Sequence, residues 1–227
     1  MPHDSLRGKV AIVTGAAGGL GGGAARRLAR EGAHVVAVDL DGDRAERLAR
    51  ELGGGAIGVG ADVSREADVE RYVAAAVERF GRVDLHHLNA GIPGPLEPIG
   101  ELEAADFERV MAVNVTGVFL GLRAAFRQYA AQGTGGAIVV TGSIASLRGS
   151  ADLVAYHASK HAVLGLARCA AVYGGPLGVR VNVVAPGIVP TDLFAEAGDA
   201  TGGGGDMAQR ATTTPLRRPG TPDEIAA

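Results

Sequence analysis

Tryptophan is absent from this chain, aromatic residues make up only 4% of it, and it holds a single cysteine. The core is therefore aliphatic, built from Ala, Val and Leu, which suits a parallel sheet covered by helices. One cysteine, Cys169, excludes an internal disulfide and fits a reducing cytoplasm. It sits among Ala and Leu, so a packed core thiol is expected. No run approaches the roughly 20 apolar residues of a membrane span, and Met1 to Lys9 lacks an apolar signal core, so a soluble, non-exported protein is expected. Neither charge sign dominates. The formal net charge of -3 argues against a nucleic-acid partner. Lysine is also scarce, since Lys9 and Lys160 are the only two among 22 basic residues. Where arginine is the default cation, a lysine points to a need for a compact, tunable charge.

What is present is an alternation of short apolar runs and helical patterns. At 227 residues, with no internal repeat and no linker, the chain reads as one α/β domain over 1–227. Apolar runs at 10–13, 34–38, 56–59, 83–88, 137–140 and 179–184 read as six strands. After the first comes Thr14-Gly15-Ala16-Ala17-Gly18-Gly19-Leu20-Gly21, then a helix whose inner stripe is Leu20, Ala24, Ala25, Leu28 and Ala29. Strand, glycine loop, helix is the setting in which glycines let backbone amides approach a pyrophosphate, with the helix N-terminus adding positive potential. An ordinary turn is the plain alternative in so glycine-rich a chain.

Asp39 ends the second strand, roughly 20 residues past the loop, where a carboxylate can accept hydrogen bonds from an adenosine ribose and repel a 2′-phosphate. The glycine loop carries no Lys or Arg, which favours NAD over NADP. Asp39 as a helix cap is compatible with this. Adjacent His86 and His87 must point to opposite faces of their strand and cannot chelate one metal together, so no metal site is expected. Asn114 lies inside a long helical pattern over 101–131, where its amide competes for backbone groups; it marks a kink or a polar task. Ser143 follows the fifth strand at its carboxyl end, where ligands of open parallel sheets sit. Tyr156 and Lys160 stand four apart on a long helix and share a face. An ammonium beside a phenol favours the phenolate and lowers its pKa from about 10, which makes a general acid/base. The glycine-rich stretch 188–214 reads as a mobile substrate lid.

In order and spacing, these residues resemble the short-chain dehydrogenase/reductase family over nearly the whole chain. The matching features are Thr14-Gly15-x-x-x-Gly19-x-Gly21, Asp62, Asn89-Ala90-Gly91, Asn114, Ser143, Tyr156-x-x-x-Lys160 and Pro186-Gly187-x-x-x-Thr191. The resemblance implies a Rossmann-like, doubly wound parallel sheet in three α/β/α layers, with strand order 3-2-1-4-5-6. It implies an NAD-dependent secondary-alcohol dehydrogenase or carbonyl reductase. Tyr156 would exchange a proton with the substrate oxygen, Lys160 would tune Tyr156 and hold the nicotinamide ribose, Ser143 would orient the substrate oxygen, and Asn114 would support a water-linked proton relay. NAD would lie along Gly15, Ala17, Gly18, Gly19, Leu20 and Gly21, then Asp39 and Leu40, Ala61, Asp62 and Val63, then Asn89, Ala90 and Gly91. Tyr156, Lys160, Pro186, Gly187, Val189 and Thr191 would complete its site.

The resemblance further implies a small-molecule substrate and a homo-oligomer, tetramer or dimer, with no membrane partner. Leu88, His86 and His87 depart from the family pattern. The seventh strand usual in the family is absent from this chain, so an uncovered sheet edge or a longer chain is expected. A second reading is a non-catalytic NAD(H)-binding regulator or a truncated, inactive homologue. Pocket candidates at 93–96, 144–147 and 188–194, with Leu153, are mostly apolar and lean toward neutral substrates.

Overall fold

The computed structural model describes residues 4–191, 193, 212 and 214–227. Among them, β1 (Val10–Thr14), β2 (His34–Asp39), β3 (Ile57–Gly60), β4 (Leu85–Leu88), β5 (Gly136–Thr141) and β6 (Val179–Val184) form one parallel sheet. Its order is β3-β2-β1-β4-β5-β6, the order implied by the resemblance. The reversal between β1 and β4 opens a crevice at the carboxyl ends, where β1 and β4 pair through Val13 and His87. Every residue of β1 is buried, as a strand covered on both faces requires.

Alternate residues of each strand serve opposite layers. Ile12, Val36, Val38, Ile138, Val140 and Val181 pack under α3 (Glu66–Phe80), α5 (Gly117–Ala131) and α6 (Val154–Gly174). Val13, Val35 and Ala37 pack under α1 (Gly19–Arg30) and α2 (Gly42–Leu52). On α1 the buried positions are Gly21, Gly22, Gly23 and Ala25. The expected stripe Leu20, Ala24 and Leu28 lines a groove with Ile225 and Ala226 of the last helix, Pro222–Ala226. Gly21 meets the Gly15 turn and Gly23 meets Pro222 of that last helix, while Leu28 and Ala29 of the expected stripe pack, half-buried, against the Val13, Val35 and Ala37 layer. The last helix starts as its sequence announces, with Thr221 and Glu224 capping each other reciprocally.

Several expectations change. The long helix splits into α4 (Ala104–Met111), a π-turn (Ala112–Thr116) and α5. That run, 28 residues with mean hydropathy 1.3 in its most apolar window, is long and apolar enough by composition to cross a membrane. Here its apolar side is in the core through Val118, Leu120, Leu122 and Ala125, while Arg123 pairs with Glu66 and Arg127 with Glu70 of α3. Cys169 is exposed rather than packed. The inner face of α6 runs through Val163, Ala167 and Ala170, and Cys169 falls off that stripe. The fourth strand begins at Leu85, not 83, because the Val83 amide is taken by the Gln132 side chain at 3.1 Å. Most of the expected lid, including Phe194 and the glycine run 202–205, lies outside the described residues.

His86 and His87 do face opposite layers. His86 meets the Tyr72 hydroxyl through Nε2 at 3.2 Å, and its Nδ1 has no partner among the described residues. Burial, helped by the neighbouring His87, pushes the His86 pKa down to about 3, and burial alone pushes His87 to about 4. Unfolded, each would bind a proton below about 6.5. The stability from keeping them neutral is complete above that pH and is lost as pH falls toward 3, by up to about 1.4 kcal/mol per pH unit for each. Tyr72→Phe, leaving both His86 nitrogens unpaired, should cost about 1–3 kcal/mol in urea unfolding at pH 7. His86→Leu combined with Tyr72→Phe should be neutral or stabilising, and should flatten the loss of stability between pH 6.5 and 4.

Candidate active site

The crevice is built from the ends of β1, β2, β4 and β5. Leaving β1, the chain turns at Gly15 with φ +63, a left-handed conformation that favours glycine. A Cβ on Gly21 would lie 2.1 Å from the Gly15 oxygen and 2.7 Å from Asn89 Nδ2. Only a bare backbone lets α1 start this close to β4. Among the described residues no side chain caps the α1 N-terminus, and Gly18, Gly19 and Leu20 line the crevice, so its positive end faces it. At the end of β2, Asp39 accepts from the Ala17 amide at 2.9 Å and the Asp41 amide at 3.2 Å. Asp41, not Asp39, caps α2, by accepting from the Arg44 amide. The Arg44 guanidinium donates to the Ala17 carbonyl at 3.0 Å, so the loop residue Ala17 is held at both ends of its backbone.

At the other end of the crevice, α6 brings in Tyr156 and Lys160, both buried. Lys160 Nζ donates to the Thr141 carbonyl at 2.8 Å and lies 5.5 Å from the Tyr156 ring centroid. Ser143 hydrogen-bonds Tyr156 and accepts from the Ala145 amide at 3.1 Å. Asn114 sits in the π-turn with both ends of its amide engaged. Its Oδ1 accepts from Ile92 N at 2.8 Å, and its Nδ2 donates to Ile92 O and Ser159 Oγ, each at 2.9 Å. The π-turn aims this side chain between two elements, and so the polar residue inside a helix has its explanation.

The residues fit a dinucleotide: glycines that a Cβ would fill, a helix N-terminus uncapped among the described residues that suits a pyrophosphate, and a carboxylate, Asp39, at the end of β2 beside the glycine loop. The family model described as short chain dehydrogenase matches residues 9–202. The chain belongs to the short-chain dehydrogenase/reductase family. Levodione reductase from Leifsonia aquatica is 40% identical over 197 residues, which is 85% of this chain and 73% of that protein. D-threitol dehydrogenase from Mycolicibacterium smegmatis is 41% identical over 225 residues, 98% of this chain and 84% of that one. Among solved structures, levodione reductase superposes with a TM-score of 0.90 at 37% identity, over 97% of this chain and 88% of that chain. A 3-ketoacyl-(acyl-carrier-protein) reductase from Brucella melitensis, complexed with NADH, gives 0.88 at 35% identity, over 97% of this chain and 88% of that one. As a short-chain dehydrogenase/reductase, this chain is an oxidoreductase with a nicotinamide-cofactor site.

In this family member a cleft of about 360 Å³ gathers the glycine loop, Asp39, Leu40, Ala61, Asp62, Val63, Asn89, Ala90, Gly91, Ser143, Tyr156, Lys160, Pro186, Gly187, Val189 and Thr191. Two expected residues do not line it. Ala17 turns its backbone to Asp39 and Arg44, and Asn114 lies behind the wall formed by Ile92. Arg44, Thr141, Ile92 and Val113 line the cleft without having been singled out. The signal for Arg44 was its place in the first turn of the helix after Asp39; Ile92 and Val113 carry none.

The acid/base electrostatics also differ from expectation. Burial holds the Tyr156 phenol above its ordinary pKa of 10.0, with the Ser143 hydrogen bond pulling it down, and Lys160 does not reverse this. The same burial lowers the Lys160 pKa to about 8, because a charge in this wall is poorly solvated. Replacing Gly21 with Ala drives a methyl into backbone and should cost about 1–3 kcal/mol of stability. It should also weaken dinucleotide binding at least tenfold, about 1.4 kcal/mol, in a nicotinamide fluorescence titration. Gly165→Ala on α6, where no described atom lies within 4 Å of the new Cβ, should leave dinucleotide binding unchanged and raise stability by about 0.5–1 kcal/mol.

Proposed function

We propose that this protein is an NAD(H)-dependent oxidoreductase that interconverts a secondary alcohol and its ketone, with Tyr156 as general acid/base. The observation that carries this is the convergence of Tyr156, Ser143 and Lys160 on one cleft that also contains the dinucleotide cradle. The names of the relatives, dehydrogenases and reductases, support the reaction class. Asp39 supports NAD, since its carboxylate would repel a 2′-phosphate.

When bound, a nicotinamide would supply or take up the hydride. On reduction, the Tyr156 hydroxyl gives its proton to the ketone oxygen; on oxidation it takes the proton back. Ser143, bonded to the same hydroxyl, is near enough to donate to the substrate oxygen and hold it in line. The phenol is buried and resists ionising, so it needs positive charge as it gives up its proton. Lys160 supplies that charge from below the ring. One ammonium proton is spent on Thr141 O, which leaves two for the cofactor ribose and a water. Asn114 fixes the Ile92 backbone, and with it the wall beside Gly91 and Lys160; its Oδ1 keeps a second lone pair for the proton relay. Ile92, Pro93, Val113 and Leu193 give the substrate side an apolar lining, which favours a neutral substrate.

Tyr156→Phe should lower turnover of secondary alcohols roughly 100- to 10,000-fold while NADH affinity stays within twofold. Retained turnover would sink the assignment. NADH should bind at least tenfold tighter than NADPH, about 1.4 kcal/mol, and Asp39→Ala should erase that gap. A preference for NADPH in the parent would overturn the role given to Asp39. We further propose a cytoplasmic homo-oligomer: Phe119, Val172 and Tyr173 leave apolar surface exposed, and sedimentation equilibrium should give a mass above the 22.9 kDa of one chain.

A further inference from the structure

We propose that His87 is a positioning residue of the cofactor cleft, locking Thr141 and Asn89 through a hydrogen-bond chain that begins on the α1 side of the sheet. His86 faces Tyr72 of α3, so its neighbour His87 faces the opposite layer, and it lines the groove with Leu20, Ala24 and Leu28 of α1. From there His87 Nε2 reaches Thr141 Oγ1 at 2.9 Å. Thr141 Oγ1 is 3.0 Å from Asn89 Oδ1, and Asn89 Nδ2 donates to Thr14 O at 3.0 Å and Gly15 O at 3.3 Å.

The direction of every proton in this chain follows. Asn89 spends its amide hydrogens on β1 and the glycine turn, so the oxygen is the end that meets Thr141 and can only accept. The single Thr141 hydroxyl proton must go to that oxygen. The Thr141 oxygen must then accept, and only a protonated Nε2 on His87 can supply the donor. Burial keeps the ring neutral, with a pKa of about 4, so Nε2–H with a bare Nδ1 is the tautomer present at neutral pH.

Thr141 is the point where this matters. Its carbonyl takes the Lys160 ammonium, its side chain takes His87 and gives to Asn89, and it lines the cleft. Asn89 in turn holds the glycine turn. Losing the His87 donor leaves the Thr141 hydroxyl free to rotate off Asn89 and lets the loop seat loosen. The chain acts on the cofactor seat, not on the reacting atoms.

The inference rests on the nicotinamide-cofactor reading, and the experiment separates the two. Cofactor Kd is measured by nicotinamide fluorescence, with NADH and NADPH, for the parent, His87→Leu and His87→Gln. Gln carries an amide N–H at about the depth of Nε2. The expected result is a rise in Kd of about tenfold for Leu, a return to within threefold of the parent for Gln, and a kcat at saturating cofactor changed less than threefold in either. In parallel, imidazole 15N shifts of the protein alone should show His87 protonated at Nε2. A Leu variant that binds like the parent overturns the proposal, as does Gln impaired as much as Leu, which would mean packing only. A proton on Nδ1 also overturns it. If Leu does not fold, the nitrogen shifts and the Gln variant decide. A parent that binds neither dinucleotide strikes the cofactor reading instead.

Discussion

Asn89 holds three strand ends with one side chain, and the crevice depends on it. Its backbone amide donates to Thr14 Oγ1 at 2.9 Å, its amide nitrogen reaches the Thr14 and Gly15 carbonyls, and its oxygen takes Thr141. Parallel strands end in unpaired backbone groups, and a buried unpaired group costs about 1–3 kcal/mol. One short amide placed where β1, β4 and β5 stop satisfies two of them, the Thr14 and Gly15 carbonyls, and ties in the Thr141 hydroxyl. The geometry works only because Gly21 lets α1 come down onto Gly15 and the Asn89 side chain. Structural satisfaction and the dinucleotide cradle are thus the same set of atoms.

At the far end, low solvation organises the chemistry. Tyr156 and Lys160 share one apolar wall, and burial favours the neutral form of each. A raised phenol and a lowered ammonium are poised to exchange influence once charge develops on the substrate oxygen. In water these groups would titrate near 10 and 10.4 and barely sense one another. Ser159, behind the helix, closes the frame by accepting from Asn114 and donating to the Tyr156 carbonyl at 2.7 Å. The π-turn that carries Asn114 is therefore continuous with the positioning of the Tyr156 backbone.

Much of this was legible in the amino-acid order because it is local. The strand-loop-helix run at Thr14 to Gly21, the carboxylate ending β2, and the four-residue step from Tyr156 to Lys160 are short-range patterns with one economical reading each. The reciprocal cap at Thr221 and Glu224 is local too. What misled was also local: an Ala/Leu neighbourhood suggested a buried Cys169, but the helix phase set by Val163, Ala167 and Ala170 turns it outward. Likewise, apolar composition over Ala104–Ala131 cannot distinguish a core helix from one that could cross a bilayer.

The chain order alone determined the alternation of strands and helices, the strand sequence through the family pattern, and most, but not all, of the groups that converge on the cleft. Tertiary structure decided what those groups do to one another. That Asn114 stands behind the cleft wall, that Arg44 grips Ala17, that burial rather than Lys160 governs the Tyr156 pKa, and that His87 reaches Thr141 all depend on contacts between residues 22 or more positions apart, or on the depth of burial around them. Spacing along a chain specifies which face a side chain shares with its neighbours. Solvation and long-range hydrogen bonding belong to the packed molecule, because they are set by whichever elements close over the group from elsewhere in the chain.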